Sequence, residues 1–348
     1  MAAEESIKAK AWALFDSIVA EAALDGDHTN PWIIDESGLP AYQADLETLR
    51  RLLGVPLHLK AATTTGVPAL ALDVWLSYEL RRAGFDPDSV WPRPEPPRVL
   101  PGPIVSLLER VTMSERELLW KRLKAKTPPA GAAASSANIL GKNYLKQVDV
   151  VMSNWITGPE LLVSTKRMDS SFGKNAANRV EESYGDAKNL RLRHPLAALG
   201  FVYGLRSTIF DQEPDKAEWL IDLLQKLGRE DDAYHAVSLV IINYSDDFAV
   251  DSSSDDPGDG ENTLVEVGLE PEAETQPTKE EVEADEVEQA LAGLPPVDLM
   301  QDRVPTDLQP GHFLELMVRR LIDSTPITMH RDARKRLREA SDIARGQW

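Results

Sequence analysis

Asp149, Ser164 and Lys166 are the residues whose types and spacing first suggest chemistry. Val148 to Ser153 and Glu160 to Lys166 are short runs rich in Val and Leu, joined by a turn-like stretch containing Gly158, and together they read as a β-hairpin. Side chains alternate along a strand, so Ser164 and Lys166 share a face, and the paired strand brings Asp149 within reach of them. A carboxylate and a lysine that meet in this way are what metal-dependent phosphodiester cleavage needs. The acid takes Mg²⁺ through a hard oxygen, the ion stabilises charge developing on phosphate and acidifies bound water, and the lysine orients or deprotonates that water. The plainer alternative is a cross-strand ion pair on a half-exposed sheet. An Asp between Val148, Val150 and Val151 is disfavoured in a strand, which calls for a compensating partner, and a metal is one.

A lone Asp makes a weak magnesium site, and a second acid is expected two residues before the lysine, where Ser164 stands. In these residues, and in the order of its elements, the stretch from Lys142 to Tyr244 resembles the PD-(D/E)XK nuclease superfamily, which contains most type II restriction endonucleases. One branch, the group that reads CCGG, carries Ser at this strand position and recruits its second acid from the following helix. That resemblance implies Glu181, or Glu182 beside it, as the second acid, with Asp149 and Glu181 as the metal ligands. Glu181 is preferred because it adjoins an apolar stripe of Ala177, Val180, Tyr184 and Ala187. The implied cofactor is Mg²⁺, the implied partner is double-stranded DNA, and the implied assembly is a homodimer, accompanied by a DNA methyltransferase that protects the host's own sites. Arg167, Lys174, Asn175, Asn178 and Arg179, next to the site, are then the candidates for holding phosphates or reading base edges. Their bland alternative is a solvated loop and helix start. Glu160 shares the face of Lys166 but lies about 20 Å along the strand, too far to join the same ion.

The elements that would position these residues follow an α/β plan. After the hairpin come a helix over 175–190, a buried strand over 196–205, a helix from Pro214 to Leu227 and an apolar strand over 236–244. The order β-β-α-β-α-β predicts a restriction-endonuclease-like core, a mixed sheet flanked by helices, preceded by a helical N-terminal region. The division expected is a helical region over 1–85, a proline-rich linker over 86–103 with seven prolines, and the α/β domain over 104–245 plus 308–348. Residues 246–307 read as an acidic disordered insert. Ser114 with Glu117 is the expected cap of a helix after the linker.

The 348 residues contain no cysteine, which excludes disulfides, thiolate metal sites and thiol nucleophiles. No phosphate loop, GxGxxG or HExxH motif occurs, and the six histidines never pair at ligand spacing, so NTPases, dinucleotide enzymes and zinc hydrolases are disfavoured. The longest apolar runs fall short of the ~20 residues of a membrane helix, and Met1 to Lys10 carries Glu4 and Glu5 without a basic leader, so a cytoplasmic protein with no membrane partner is expected. A net charge of −19 would repel nucleic acid if it were spread evenly. It is not. Seventeen acids and one base fall between Asp246 and Glu288, which leaves −3 on the other 305 residues. Two readings stay open for this acidic stretch, a solvated loop and a polyanion mimic that occupies a DNA groove. For the chain as a whole the alternatives to a restriction or phage-defence endonuclease are a non-catalytic interaction protein with a decayed nuclease-like core and a DNA-repair or recombination nuclease.

Overall fold

The computed structural model describes residues 2–125, 127–129, 131–249 and 284–344. In chain order, helix α1 (Ala2–Ala22) precedes a small ribbon, β1 (Trp32–Ile34) with β2 (Pro40–Tyr42), and then α2 (Leu46–His58) and α3 (Val67–Arg82). A short strand β3 (Val90–Trp91) follows inside the proline-rich stretch, and α4 (Gly102–Arg110) and α5 (Met113–Leu123) come after it. The strands β4 (Ala137–Leu140) and β5 (Leu145–Val148) form a second ribbon that leads into β6 (Val150–Asn154) and β7 (Gly158–Met168). The remaining elements are α6 (Phe172–Arg191), β8 (Ala198–Arg206), α7 (Ile209–Gln212), α8 (Pro214–Leu227), β9 (Ala236–Asn243), α9 (Ala284–Ala292), β10 (Asp298–Leu299), α10 (Pro310–Ser324) and α11 (Arg331–Ala344).

Six strands make one mixed sheet in the order β10-β9-β8-β7-β6-β3. β7, β8 and β9 run parallel, joined by helical crossovers, while β6 and β10 pair antiparallel at either side. All nine residues of β8 are buried, as a parallel strand covered on both faces requires. Alternation sorts the hairpin between two cores. Val150, Met152, Leu161 and Val163 face α1, α2, α3 and α10, whereas Val151 and Leu162 face the side covered by α6 and α8.

The α/β plan expected from the sequence is therefore present, with two differences of arrangement. The proline-rich stretch is extended, but it contributes β3 to the sheet edge through Val90 and Trp91, and the helices before it share one apolar cluster with the sheet. The helical N-terminal region thus forms one layer of the fold against the sheet. The acidic insert was expected to reach 307, yet α9 and β10 occupy its last third, with Asp298 and Leu299 paired to Asn243 and Ile242 of β9. Residues 250–283, where most of that expectation falls, lie outside the described residues. The cap of α5 also shifts. Glu115 accepts from the Thr112 backbone N–H at 2.9 Å and the Thr112 hydroxyl at 2.6 Å, in place of the Ser114–Glu117 pair. Among the described residues no helix is long and apolar enough to cross a membrane.

One buried contact has a measurable pH signature. The Nδ1 of His235 accepts the Leu199 backbone N–H at 2.9 Å, which ties the start of β9 to β8 and requires an unprotonated nitrogen. Burial, with Arg191 and Arg320 nearby, lowers this imidazole from 6.5 to about 4, and burial beside Arg81 and Arg336 does the same for His28. The unfolded chain takes these protons near 6.5 and the folded chain only near 4, so stability from the two neutral rings is complete above about pH 6.5 and is lost as pH falls toward 4. In His235→Asn the amide oxygen still accepts the Leu199 N–H without titrating. The variant is expected to show a shallower loss of denaturation midpoint between pH 6.5 and 4 than the parent, and equal slopes would contradict the assignment.

Candidate functional site

The site is built where β6 meets β7. Val150 pairs with Val163, but at Asp149 the chain bends away so that β5 can pair with β4, and the Thr165 N–H loses its cross-strand carbonyl. The Asp149 carboxylate takes over, accepting that N–H through Oδ2 at 2.8 Å. This explains how an acid is tolerated between three valines. It terminates the ladder instead of interrupting it.

Lys166 follows Thr165 and projects, half-buried, on the α6 side of the sheet with Ser164 and Leu162. Burial pushes the Lys166 ammonium below the ordinary lysine value; Asp149 and Asp186 oppose that shift, and Lys146 and Arg179 add to it. Burial likewise raises the Asp149 carboxyl, with the Lys166 charge and the Thr165 N–H pulling it back. Both members are displaced toward their neutral forms, the direction that makes a lysine a readier proton acceptor. The other side of β7 carries a further acid. Thr165 donates its hydroxyl to Asp73 of α3 at 2.5 Å, and burial, reinforced by the Asp149 charge, raises the Asp73 carboxyl well above its ordinary value. One threonine thus holds two carboxyl groups, one through its N–H and one through its hydroxyl.

Helix α6 presents a buried polar stripe to the sheet: Arg179, Ser183, Asp186 and Asn189, no more than 7% exposed, at the three- and four-residue spacing of one helix face. Asp186 receives the Lys146 ammonium at 2.6 Å and the Tyr144 hydroxyl at 2.9 Å. Asn189 accepts the Asn143 N–H at 2.8 Å and donates to the Tyr144 carbonyl at 3.0 Å, so the β4–β5 turn is fastened beside the site. At Gly141 a Cβ would lie 2.1 Å from the Asn189 amide, and only glycine permits that approach. Tyr234 donates to the Ser183 carbonyl at 2.8 Å and is hydrogen-bonded by the Ser164 hydroxyl.

Of the residues expected from the sequence, Asp149, Ser164 and Lys166 are brought together. Glu181 and Glu182 are not, because both are exposed on the outer face of α6. Of the expected Ala177–Val180–Tyr184–Ala187 stripe, Val180 and Ala187 are buried and Tyr184 is half-buried, the side chain of Ala177 lies outside the described residues, and the buried face also takes in Ala176, Arg179, Ser183, Asp186 and Asn189. Asp186 is the helix-borne acid on the lysine's side. Arg167, a candidate DNA contact, is 7% exposed on the α3 side, paired with Asp169 at 3.0 Å and within 3.4 Å of the Pro68 carbonyl. Arg179 is buried in the stripe and Asn178 is exposed. The side chains of Lys174 and Asn175 lie outside the described residues. Glu160 sits at the far end of β7, 3.1 Å from His330.

Asp186, Lys146, Tyr144, Tyr234 and Asp73 were not singled out in the sequence. The signal that could have found Asp186 is its place between Ser183 and Leu190 on a helix whose buried face is partly polar. Among the described residues no three His, Asp or Glu side chains cluster as a ready metal cage. The hard-oxygen donors beside Lys166 are Asp149 and Asp186, which suits Mg²⁺, an ion held by one or two carboxylates together with substrate phosphate and water. No family model, curated protein or solved structure matches the chain.

Proposed function

We propose that this protein is a Mg²⁺-dependent endonuclease that hydrolyses phosphodiester bonds in double-stranded DNA, of the restriction or phage-defence type, acting on the restriction-endonuclease-like plan that its sequence resembles. The observation that supports this reading best is the convergence of Asp149 and Lys166 at the end of the β6–β7 ladder, with Asp186 delivered from the next helix. Asp149 and Asp186 would hold the ion. When bound, it neutralises charge on the phosphate and acidifies water. The chain's own groups do the rest: Lys166, lowered by burial, orients the attacking water and takes its proton, while the Thr165 N–H fixes the Asp149 carboxylate in place. Because both strands must be cut, the active form is a homodimer, and a companion methyltransferase protects host DNA.

One observation favours the rival reading, a non-catalytic interaction protein with a decayed nuclease-like core. The Lys146 ammonium already rests on Asp186 at 2.6 Å, where a cation would be held. The two readings separate on metal. Calorimetry with Mn²⁺ is expected to show binding that is lost in Asp149→Asn, and supercoiled plasmid is expected to be nicked and linearised in Mg²⁺ but not in EDTA. An absence of both metal binding and cleavage, with DNA present, selects the rival.

A further inference from the structure

A cavity of about 1590 Å³ opens at the opposite end of the sheet, between α1, the end of α3, the proline-rich stretch and α11. Asn154, the last residue of β6, lines it, which places it about 16 Å along the strand from Asp149. Its wall contains Arg81, which is 5% exposed. Three neighbouring arginines each hold an acid: Arg82 with Glu79 at 3.1 Å, Arg93 with Asp88 at 2.6 Å and Arg98 with Asp16 at 2.9 Å. Arg81 has none among the described residues. It donates to the Pro92 carbonyl at 3.1 Å, and its Nε, buried, has no hydrogen-bond partner among the described residues. Asp16 faces it, but both oxygens of Asp16 are held by Arg98 at 2.9 Å.

The lining as a whole is close to balanced, with six Asp and Glu against five Lys and Arg, and the buried positive charge is local to Arg81. Burial, with Arg98 and Arg93 close by, lowers the Arg81 guanidinium to about 9, against the opposing charge of Asp16. Arg336, on the same wall, donates to the His28 and Arg82 carbonyls at 2.8 and 3.0 Å and has no acidic partner among the described residues. His28 also lines the cavity, with a buried Nδ1 that has no hydrogen-bond partner among the described residues. Asp16 apart, the carboxylates that line the cavity are exposed. A buried guanidinium that must share its facing acid with another arginine is under-compensated, and its planar fork matches phosphate oxygens two at a time.

We propose that this cavity is a binding site for a phosphate-bearing small molecule, with Arg81 as its buried anchor and Arg336 beside it. The volume exceeds what inorganic phosphate fills and admits a ligand of nucleotide size. The proposal is independent of the nuclease reading, because the site shares no residue with Asp149 and Lys166.

Thermal unfolding of the full chain, with inorganic phosphate and with AMP in separate series at constant ionic strength, tests it. A saturable rise in Tm of about 4 °C is expected at a hundredfold excess over Kd. Arg81→Met is expected to weaken the apparent affinity at least about tenfold without lowering the ligand-free Tm, since the buried charge it removes shares its facing acid with Arg98. Lys335→Glu, on the exposed side of α11 at the cavity wall, leaves the core untouched and is expected to weaken affinity about threefold through the field alone. Tighter binding of AMP than of phosphate assigns a nucleotide-sized ligand, and equal binding assigns the phosphate group alone. No rise with either compound, or an undiminished rise in both variants, overturns the site.

Discussion

Lys166→Met is expected to lower plasmid cleavage in Mg²⁺ by at least about a hundredfold while leaving the fold intact, the loss typical of removing a group that moves a proton in the transition state. Methionine matches the aliphatic stem of lysine and removes only the ammonium. The stem is half-buried under α6, so the apolar contacts of that stem survive, and the urea midpoint should stay within about 1 kcal/mol of the parent. The carboxyl of Asp149 loses the nearest charge that holds it down and moves further up. In the parent, cleavage should climb with pH through the lowered value of Lys166, so its rising limb should lie below the ordinary lysine value of 10.5. Plasmid nicking by a folded Lys166→Met protein at the parental rate would remove Lys166 from the chemistry, and with it the nuclease reading.

The second large effect belongs to Asp186. Asp186→Asn keeps an oxygen for the Tyr144 hydroxyl but withdraws the charge that Lys146 meets at 2.6 Å, in a pair whose side chains are 7% and 14% exposed. An ammonium left without its partner in such a place costs about 3 kcal/mol. Cleavage is expected to fall at least about tenfold in the same protein, assayed at a temperature where it remains folded. Glu181→Gln and Glu182→Gln change exposed side chains and should shift stability by no more than about 0.5 kcal/mol and cleavage not at all. If instead Glu181→Gln were inactive and Asp186→Asn active, the helix-borne acid would be the one the sequence suggested.

What the sequence made legible followed from local periodicity. The hairpin of Val148 to Lys166 and the helix from Pro214 to Leu227 both stand within a residue or two of where the residue pattern put them. The polar face of α6 was hidden for the opposite reason. Periodicity locates a buried face by its apolar residues, and this one buries Arg179, Ser183, Asp186 and Asn189 instead. Arg167 looked available because strand alternation cannot say what covers each face, and only the docking of α3 buries it. Asp73 carried no local mark at all, because its partner Thr165 lies 92 residues away. The strands β3 and β10 contribute two residues each and exist only through pairing with β6 and β9, which no window of sequence can show.

Helix α3 has two working ends. Asp73 grips the hydroxyl of Thr165 beside Asp149, and Arg81, eight residues on and about 12 Å along the axis, lines the cavity at the other end of the sheet. A helix of 16 residues packed on the sheet behaves as a stiff rod, so these two contacts cannot shift independently along its length. The carboxyl group that meets Thr165 and the guanidinium at the cavity wall are thus held in one fixed spacing by a single element, on the face of the sheet opposite Lys166.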